Sequence, residues 1–519
     1  MPRSAPARRA CGAPAQACRL AVTNRYTQLA PFLLRVALAA VLFAWLSHTR
    51  ADPDLWGHVR FGHDIVSGRA IATVDTYSFM SDRPWINHEW LSECVMYVAY
   101  AAGGPAGLVA LKVLLLVAVL GAVYVALGRQ SVTGTSRDLL LAVVILGTFG
   151  QINHIRPQVF SLAAFSWLLV LLTSSGGGRA GILLIPALFV AWVNMHGGWI
   201  VGGATLALWT AFSLSTAVPR AVKIRLTACG VLSLLATLLN PYGWKMWLFL
   251  WNTVGFSRAE ISEWQPVFRL GPAVLIVWSV LALAAVAAAV RAFAQSEHPV
   301  RKVAVVLFLG IASFQVSRLR AFFAVALVVL LGRELVFVLD RFRRRRDAAV
   351  PPPGRAAVAA AVTIACVLIA GGGAAVARNL GCVRMDSSGL PDARVPDFAA
   401  AHQLRGRLAV WFDWGEYAIW HLGPALSVSV DGRRETVYSD DLLRRHLMFY
   451  YVPSTRQQFL DEVRPDYIWL PSHLRVVESL RADGWKELFA GPGSVLLGRA
   501  GEPRGSSPVV AGDRCFPGP

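Results

Sequence analysis

The residues able to do chemistry crowd into one stretch, Ala51 to Glu93, which reads ADPDLWGHVRFGHDIVSGRAIATVDTYSFMSDRPWINHEWLSE. Two acids stand one residue apart, Asp52 and Asp54, and an Asn87-His88-Glu89 run follows. Two carboxylates at this spacing can hold a divalent cation. Alternatively, one can serve as a general base whose pKa is lifted toward neutrality by partial burial and a like-charged neighbour. The plainer reading is a helix cap, since an Asp just before Leu55-Trp56 satisfies free amides and suits the helix dipole. One cap uses one carboxylate, so capping accounts for Asp54 and leaves Asp52 over. His58, His88 and Glu89 are further acid–base candidates. His58 and His63 lie five apart, which separates them round a helix, and no His-Glu-x-x-His zinc pattern is present. His88-Glu89 with Asn87 could equally cap a second helix.

A second set stands at the ends of apolar runs: His154, Arg156, Asn194, His196, Glu263, Trp264, Arg318 and Arg320. A guanidinium at the end of an apolar run can simply snorkel to the interface. It also matches the paired oxygens of a phosphate. Trp264 beside Glu263 could stack on a sugar face or belong to an aromatic belt.

The elements that must position these residues follow from composition. Of 519 residues, 55% are hydrophobic and only 16% charged, with a mean hydropathy of +0.50. Soluble domains carry about 25% charge, so the balance is that of a polytopic membrane protein. A net charge of +19 would point to nucleic acid in a soluble chain. Here the Arg residues sit in short connections between apolar runs, as cytoplasmic loops require, and no nucleic-acid partner is expected. The seven cysteines show no Cys-x-x-Cys, which argues against a zinc or redox motif, while Cys382 and Cys515 could pair in an oxidising compartment.

The expected fold is mainly α, a polytopic transmembrane helical bundle of about eleven spans. They lie near 31–48, 105–127, 138–150, 157–174, 180–195, 198–217, 222–239, 272–292, 301–316, 320–338 and 357–377. Alternation from a basic cytoplasmic tail, 1–29, puts nearly every short Arg-bearing loop inside, ending with the Arg341–Arg346 block and Pro351–Pro353. The other face then receives the first outer loop, 49–104, the polar segments 151–157, 194–199, 240–268 and 315–320, and a tail of 378–519. The first outer loop should hold two interfacial helices, Leu55–Val66 and Trp90–Tyr100, with loop or a short strand over Thr73–Phe79. The tail alternates strand-length and helical patterns, which predicts a small extracytoplasmic α/β domain. Transporters place polar groups at the midplane on broken helices. These gather at one surface, which favours an enzyme working at the outer leaflet.

An acidic pair in the first outer loop, many spans and an outer soluble tail resemble the GT-C glycosyltransferases. Asp-Pro-Asp-Leu-Trp-x-His (52–58), Pro-Trp-x-Asn-His-Glu-Trp-Leu (84–91), Asn-x-His-Gly-Gly (194–198), Asn-Pro-Tyr-Gly (240–243) and Glu-Trp (263–264) are similar to the pattern of a group of bacterial membrane proteins labelled glycosyltransferase-like. Gly-Glu-Tyr-x-x-Trp (415–420) and Asp-Gly-Arg (431–433) extend that likeness into the tail. GT-C loops often carry adjacent acids, whereas Pro53 separates them here. The resemblance implies transfer of a sugar from a polyprenyl-phosphate donor to a glycan or lipid acceptor at the outer face of a bacterial inner membrane. On it, Asp52 is the expected base, Asp54 its partner or a ligand of a divalent cation, and Arg318, Arg320 and Arg156 hold the donor phosphate. A non-catalytic protein that binds or moves a lipid-linked glycan, or a polysaccharide polymerase or ligase, is the alternative.

Overall fold

The long apolar runs have no water in a bilayer to satisfy their amides, so they close their hydrogen bonds internally as helices. A computed structural model describes residues 32–499 apart from 69, 72, 175–178, 217–218, 254–257, 259–260, 296–298, 344–353 and 386–389, together with 505–506 and 514–518. The tail 1–29, Arg344–Arg346 and Pro351–Pro353 lie outside the described residues.

Each stretch expected to span is helical: Phe32–Ser47, the second leg of Trp90–Arg129, Gly134–Gly147, Pro157–Thr173, Arg179–Val193, Trp199–Leu214, Arg220–Ala236, Pro272–Gln295, Val300–Gln315, Arg320–Arg343 and Arg355–Leu380. Among the described residues, four helices are long and apolar enough on their own to cross a membrane: Trp90–Arg129, Pro272–Gln295, Ser317–Arg341 and Ala356–Leu380. Apolar side chains such as Leu283 and Val367 stand well exposed, 71% and 64%, as a lipid-facing surface requires. The chain is a multi-pass membrane protein. Of these four helices, Ser317–Arg341 is the most enclosed, with every side chain from Ala321 to Leu331 buried.

Leu55–Val66 is a helix with the expected bounds. The second helix of this region is longer than its apolar pattern suggested. It starts at Trp90 and runs to Arg129, broken only at Gly104, whose φ of 57° and ψ of −143° precede Pro105. Positive φ suits Gly, and the Pro ring cannot continue the preceding turn. One continuous stretch therefore serves as both interfacial helix and span.

Beyond Leu380 the chain forms a six-stranded sheet ordered Leu426–Val428, Gly406–Val410, Tyr467–Pro471, Ser494–Gly498, Lys486–Ala490, Gly505–Ser506. The first three strands run parallel and Ser494–Gly498 pairs antiparallel on both sides. The short Lys486–Ala490 and Gly505–Ser506 strands carry no clear alternation and escaped the sequence reading. Residues 73–79 make only a single bridge: Ser78 joins Val428 at the sheet edge, with Val428 N donating to Tyr77 O at 3.1 Å and Phe79 N to Val428 O at 3.0 Å. A disulfide between Cys382 and Cys515 ties residues 514–518 back to this unit. There Pro517 O accepts from the Trp56 indole at 2.8 Å.

Candidate active site

The polar segments that alternation assigned to one face meet in a single cluster. Asp52 and Asp54 come from the turn before the Leu55–Val66 helix, and Glu89 from the start of Trp90–Arg129. His154 and Arg156 precede Pro157–Thr173, His196 precedes Trp199–Leu214, and Glu263 and Arg318 lie on 3-10 turns.

The acidic pair is split. Asp52 is buried and pairs with the Arg156 guanidinium. Burial alone would raise its carboxyl, yet the Arg156 charge, with His154 and His58, holds it below the usual carboxylate range. Asp54 occupies the position just before the helix, but its side chain makes no capping hydrogen bond. The cap reading is thereby set aside. Its carboxylate turns instead to Gly432 and Glu416 of the C-terminal unit. Burial and the adjacent Asp52 charge push it up to about 7, although Arg156 and His58 oppose them.

Arg156 also donates to Glu263 Oε1 at 2.7 Å. Glu263 Oε2 lies 4.0 Å from Arg318 Nε, which donates to Gln158 at 2.9 Å. Asp52 Oδ1 and Glu263 Oε2 are buried and accept no hydrogen bond among the described residues. Buried acceptors of this kind call for a donor from outside the fold.

His196 is fixed in one tautomer. Trp192 Nε1 donates to Ser161 Oγ at 2.6 Å, Ser161 Oγ lies 2.7 Å from His196 Nδ1, and Gly198 N donates to that same nitrogen at 2.9 Å. Nδ1 is thus the acceptor, and the ring proton sits on Nε2. Burial lowers the ring to about 3, so it stays neutral. Nε2 lies 3.7 Å from Glu89 Oε1 and 3.5 Å from Arg318 Nη2. His88 Nε2 stands 3.6 Å from the same Glu89 oxygen. Burial works against ionisation of Glu89, but His88, His196, His58 and Arg318 keep its carboxyl below the ordinary range.

The structure offers another candidate set of cation donors besides Asp52 and Asp54. Asp52 is engaged by a guanidinium, so it does not form a two-carboxylate clamp with Asp54. His58, Glu89 and Glu93 instead bring one ligand atom each within 4.8 Å of one another. Two carboxylates and a neutral imidazole are donors for a zinc- or manganese-like ion, but His58 Nδ1 lies 3.3 Å from Glu93 Oε1. Although burial opposes it, that bond and the Glu89 charge raise the ring to about 9, so an ion would have to displace its proton. Asn87 braces the set by donating to Glu93 Oε2 at 2.6 Å. Glu93 escaped the sequence reading, although it stands one turn beyond Glu89 on the same helix face.

Three expected site residues serve elsewhere. Arg320 is turned away and donates to the carbonyls of Gly147 and Phe149 at 3.1 and 2.7 Å. Asn194 spends its amide on Val190 O, Leu239 O and the Trp90 indole, which pins the 84–91 motif to the 240–243 turn. Trp264 lies between two guanidiniums, 4.4 Å from Arg258 and 5.8 Å from Arg318, so cations flank its ring.

One buried fastener joins the 73–85 segment to the C-terminal unit. Arg433 donates to both oxygens of Asp75 at 2.8 and 2.9 Å, and to Asp431 at 2.8 and 2.6 Å. Phe61, Tyr77 and Trp85 surround its guanidinium at 4.7–5.3 Å, and Tyr438 donates to Asp431 at 2.7 Å.

No family model and no curated protein matches the chain. Solved structures do. ArnT from Cupriavidus metallidurans bound to undecaprenyl phosphate aligns with a TM-score of 0.51 at 11% identity, over 91% of this chain and 98% of that one. The same protein in the apo state gives 0.51 at 13%. The fold is GT-C-like. The arabinofuranosyltransferase AftD from Mycobacteria aligns with a TM-score of 0.51 at 15% identity, over 91% of this chain but only 42% of AftD. The chain thus spans under half of AftD and nearly all of ArnT. At such identity the likeness is one of fold. The cluster lies on turns and loops at the ends of the helices of this fold.

Proposed function

We propose that this chain is an inverting glycosyltransferase that takes a sugar from a polyprenyl-phosphate donor at the outer face of a bacterial inner membrane. The observation that carries the reading is an uncapped Asp54 poised near neutrality, beside two buried carboxylate oxygens, Asp52 Oδ1 and Glu263 Oε2, that no donor among the described residues satisfies. Sugar hydroxyls are donors of the kind those oxygens need. The fold's likeness to ArnT bound to undecaprenyl phosphate supports a lipid-linked donor. Orientation rests on the basic loops and is consistent with the Cys382–Cys515 disulfide, a bond that persists in oxidising compartments.

In this reaction Asp54, not Asp52, is the base. The ionised Asp52 is committed to Arg156, whereas the Asp54 carboxylate takes the proton of an acceptor hydroxyl as that oxygen bonds to the anomeric carbon. The bond from the anomeric carbon to the phosphate oxygen breaks, and its electron pair leaves on the polyprenyl phosphate. Arg318 and Arg156 stabilise that charge. Neutral His196 offers Nε2–H toward the same region. The products are the glycoside, polyprenyl phosphate and protonated Asp54. Were a divalent cation to displace the His58 proton, His58, Glu89 and Glu93 would hold it and it would supply positive charge to the site. The acceptor is a glycan or lipid, and the surrounding membrane lipids are its solvent.

The clamp is tested at Arg318. Lys keeps the charge but loses the planar fork that reaches Gln158 and a phosphate together. Turnover of a polyprenyl-phosphate pentose by Arg318→Lys is expected to fall about 10- to 100-fold, the cost of one or two kcal/mol or more of lost transition-state contact. A snorkelling cation tolerates Lys, so wild-type turnover would remove the clamp.

A further inference from the structure

The C-terminal unit inserts one carboxyl into the site, and nothing in the pairings already described uses it. Glu416 is 3% exposed and lies at the start of the Gly415–Leu422 helix. Two glycines make room for it. A Cβ on Gly57 would collide with the Glu416 carboxyl, and a Cβ on Gly432 would collide with Asp54 Oδ1 while standing 3.0 Å from Glu416 Oε1. Gly57 and Gly432 belong to different units of the chain. Their bare backbones bring Asp54 and Glu416 against one another.

The two oxygens of Glu416 have different partners. Oε2 accepts the Gly57 amide at 3.0 Å, which marks it as the carbonyl-like oxygen. Oε1 lies on the side of Asp54, since a Cβ on Gly432 would meet Glu416 Oε1 at 3.0 Å and collide with Asp54 Oδ1, and Oδ1 can only accept when Asp54 is ionised. Two carboxylates packed around one glycine, with Glu416 only 3% exposed, favour the state in which one of them keeps its proton.

We propose that Glu416 is a positioning residue that works as a neutral acid: its Oε1–H donates to Asp54 Oδ1, holding that carboxylate so that Oδ2 is aimed at the acceptor hydroxyl. The inference rests on Asp54 as the base. Burial, with the charges of Asp54 and Asp431, keeps the Glu416 carboxyl well above the usual range, against the opposing pull of Arg433. The proton on Glu416 is not transferred in the reaction, so the neutral acid returns unchanged after each turnover. The C-terminal unit is then a working part of the site, since its docking delivers the group that orients the base.

The test compares Glu416→Gln with Glu416→Ala in the purified full chain, using turnover of a polyprenyl-phosphate pentose. Gln presents an N–H where Oε1–H stood and a carbonyl oxygen to Gly57. It should keep kcat within about threefold of wild type, because one neutral hydrogen bond replaces another. Ala should lower kcat by about 10- to 100-fold with KM little changed, the mark of a misplaced reacting group. A Gln variant as poor as Ala would mean that the ionised form is needed, and wild-type kcat in Ala would mean no role; either overturns the proposal. An infrared difference spectrum, wild type minus Glu416→Gln at neutral pH, reads the same proton without turnover. A protonated-carboxyl band supports the proposal and its absence overturns it, even if wild type proves inactive and the transferase reading fails by itself.

Discussion

Asp54→Asn is expected to lower kcat/KM by about 10²- to 10⁴-fold, the range that a positioned general base supplies. The protein should still insert and fold, because the Asp54 side chain makes no capping hydrogen bond to the Leu55–Val66 helix. Asp52→Asn should differ in kind. It leaves the half-buried Arg156 guanidinium with Glu263 as its one remaining carboxylate ion-pair partner among the described residues, so donor affinity and stability should both suffer, and the loss should appear in KM as well as kcat. The wild-type pH profile carries the same signature. Asp54 is raised to about 7 and must be ionised to act. Turnover should therefore fall as pH drops through about 7, by roughly tenfold per unit well below it, and level off above. An unchanged rate in Asp54→Asn, measured as release of undecaprenyl phosphate from its pentose conjugate, would exclude this base.

The second large effect is on stability. Arg433→Met should cost about 3–5 kcal/mol, because removing one partner of a buried ion pair leaves the other charges uncompensated. Here two carboxylates, Asp75 and Asp431, are left, and both have no exposed side-chain surface. The effect should concentrate at the junction between the 73–85 segment and the C-terminal unit. Hydrogen exchange should rise at Tyr77–Phe79, where the loop bridges Val428. Unfolding in detergent should show the lost stability. A loss below about 0.5 kcal/mol, the scale of an ordinary surface change, would mean that the fastener does not hold the two units together.

These expectations also show what the chain discloses by itself. Local patterns were readable: the Leu55–Val66 helix has its expected bounds, and each apolar run is a helix because a bilayer leaves the backbone no other partner. The convergence of polar segments was readable too, since alternation of basic loops sorts the connections by side. The roles of Asp52 and Asp54 were not. They depend on Arg156, 104 residues away, and on Glu416, whose bond to Gly57 spans 359 residues. Arg318 and Arg320 look alike in sequence, but two residues round a helical turn point apart, so one faces the cluster and the other the carbonyls of Gly147 and Phe149. Asn194 reads as a ligand by type, yet its amide knits two motifs together.

The central claim is that this cluster receives the phosphate of a lipid-linked sugar. The most direct measurement is an experimental structure of the purified protein with undecaprenyl phosphate added. The phosphate is expected beside Arg318 and Arg156, within reach of His196 Nε2, with its chain leaving between the helices toward lipid. A phosphate seated at the opposite end of the bundle, near Arg129 and Arg333, or anywhere out of reach of Asp54, would contradict the account.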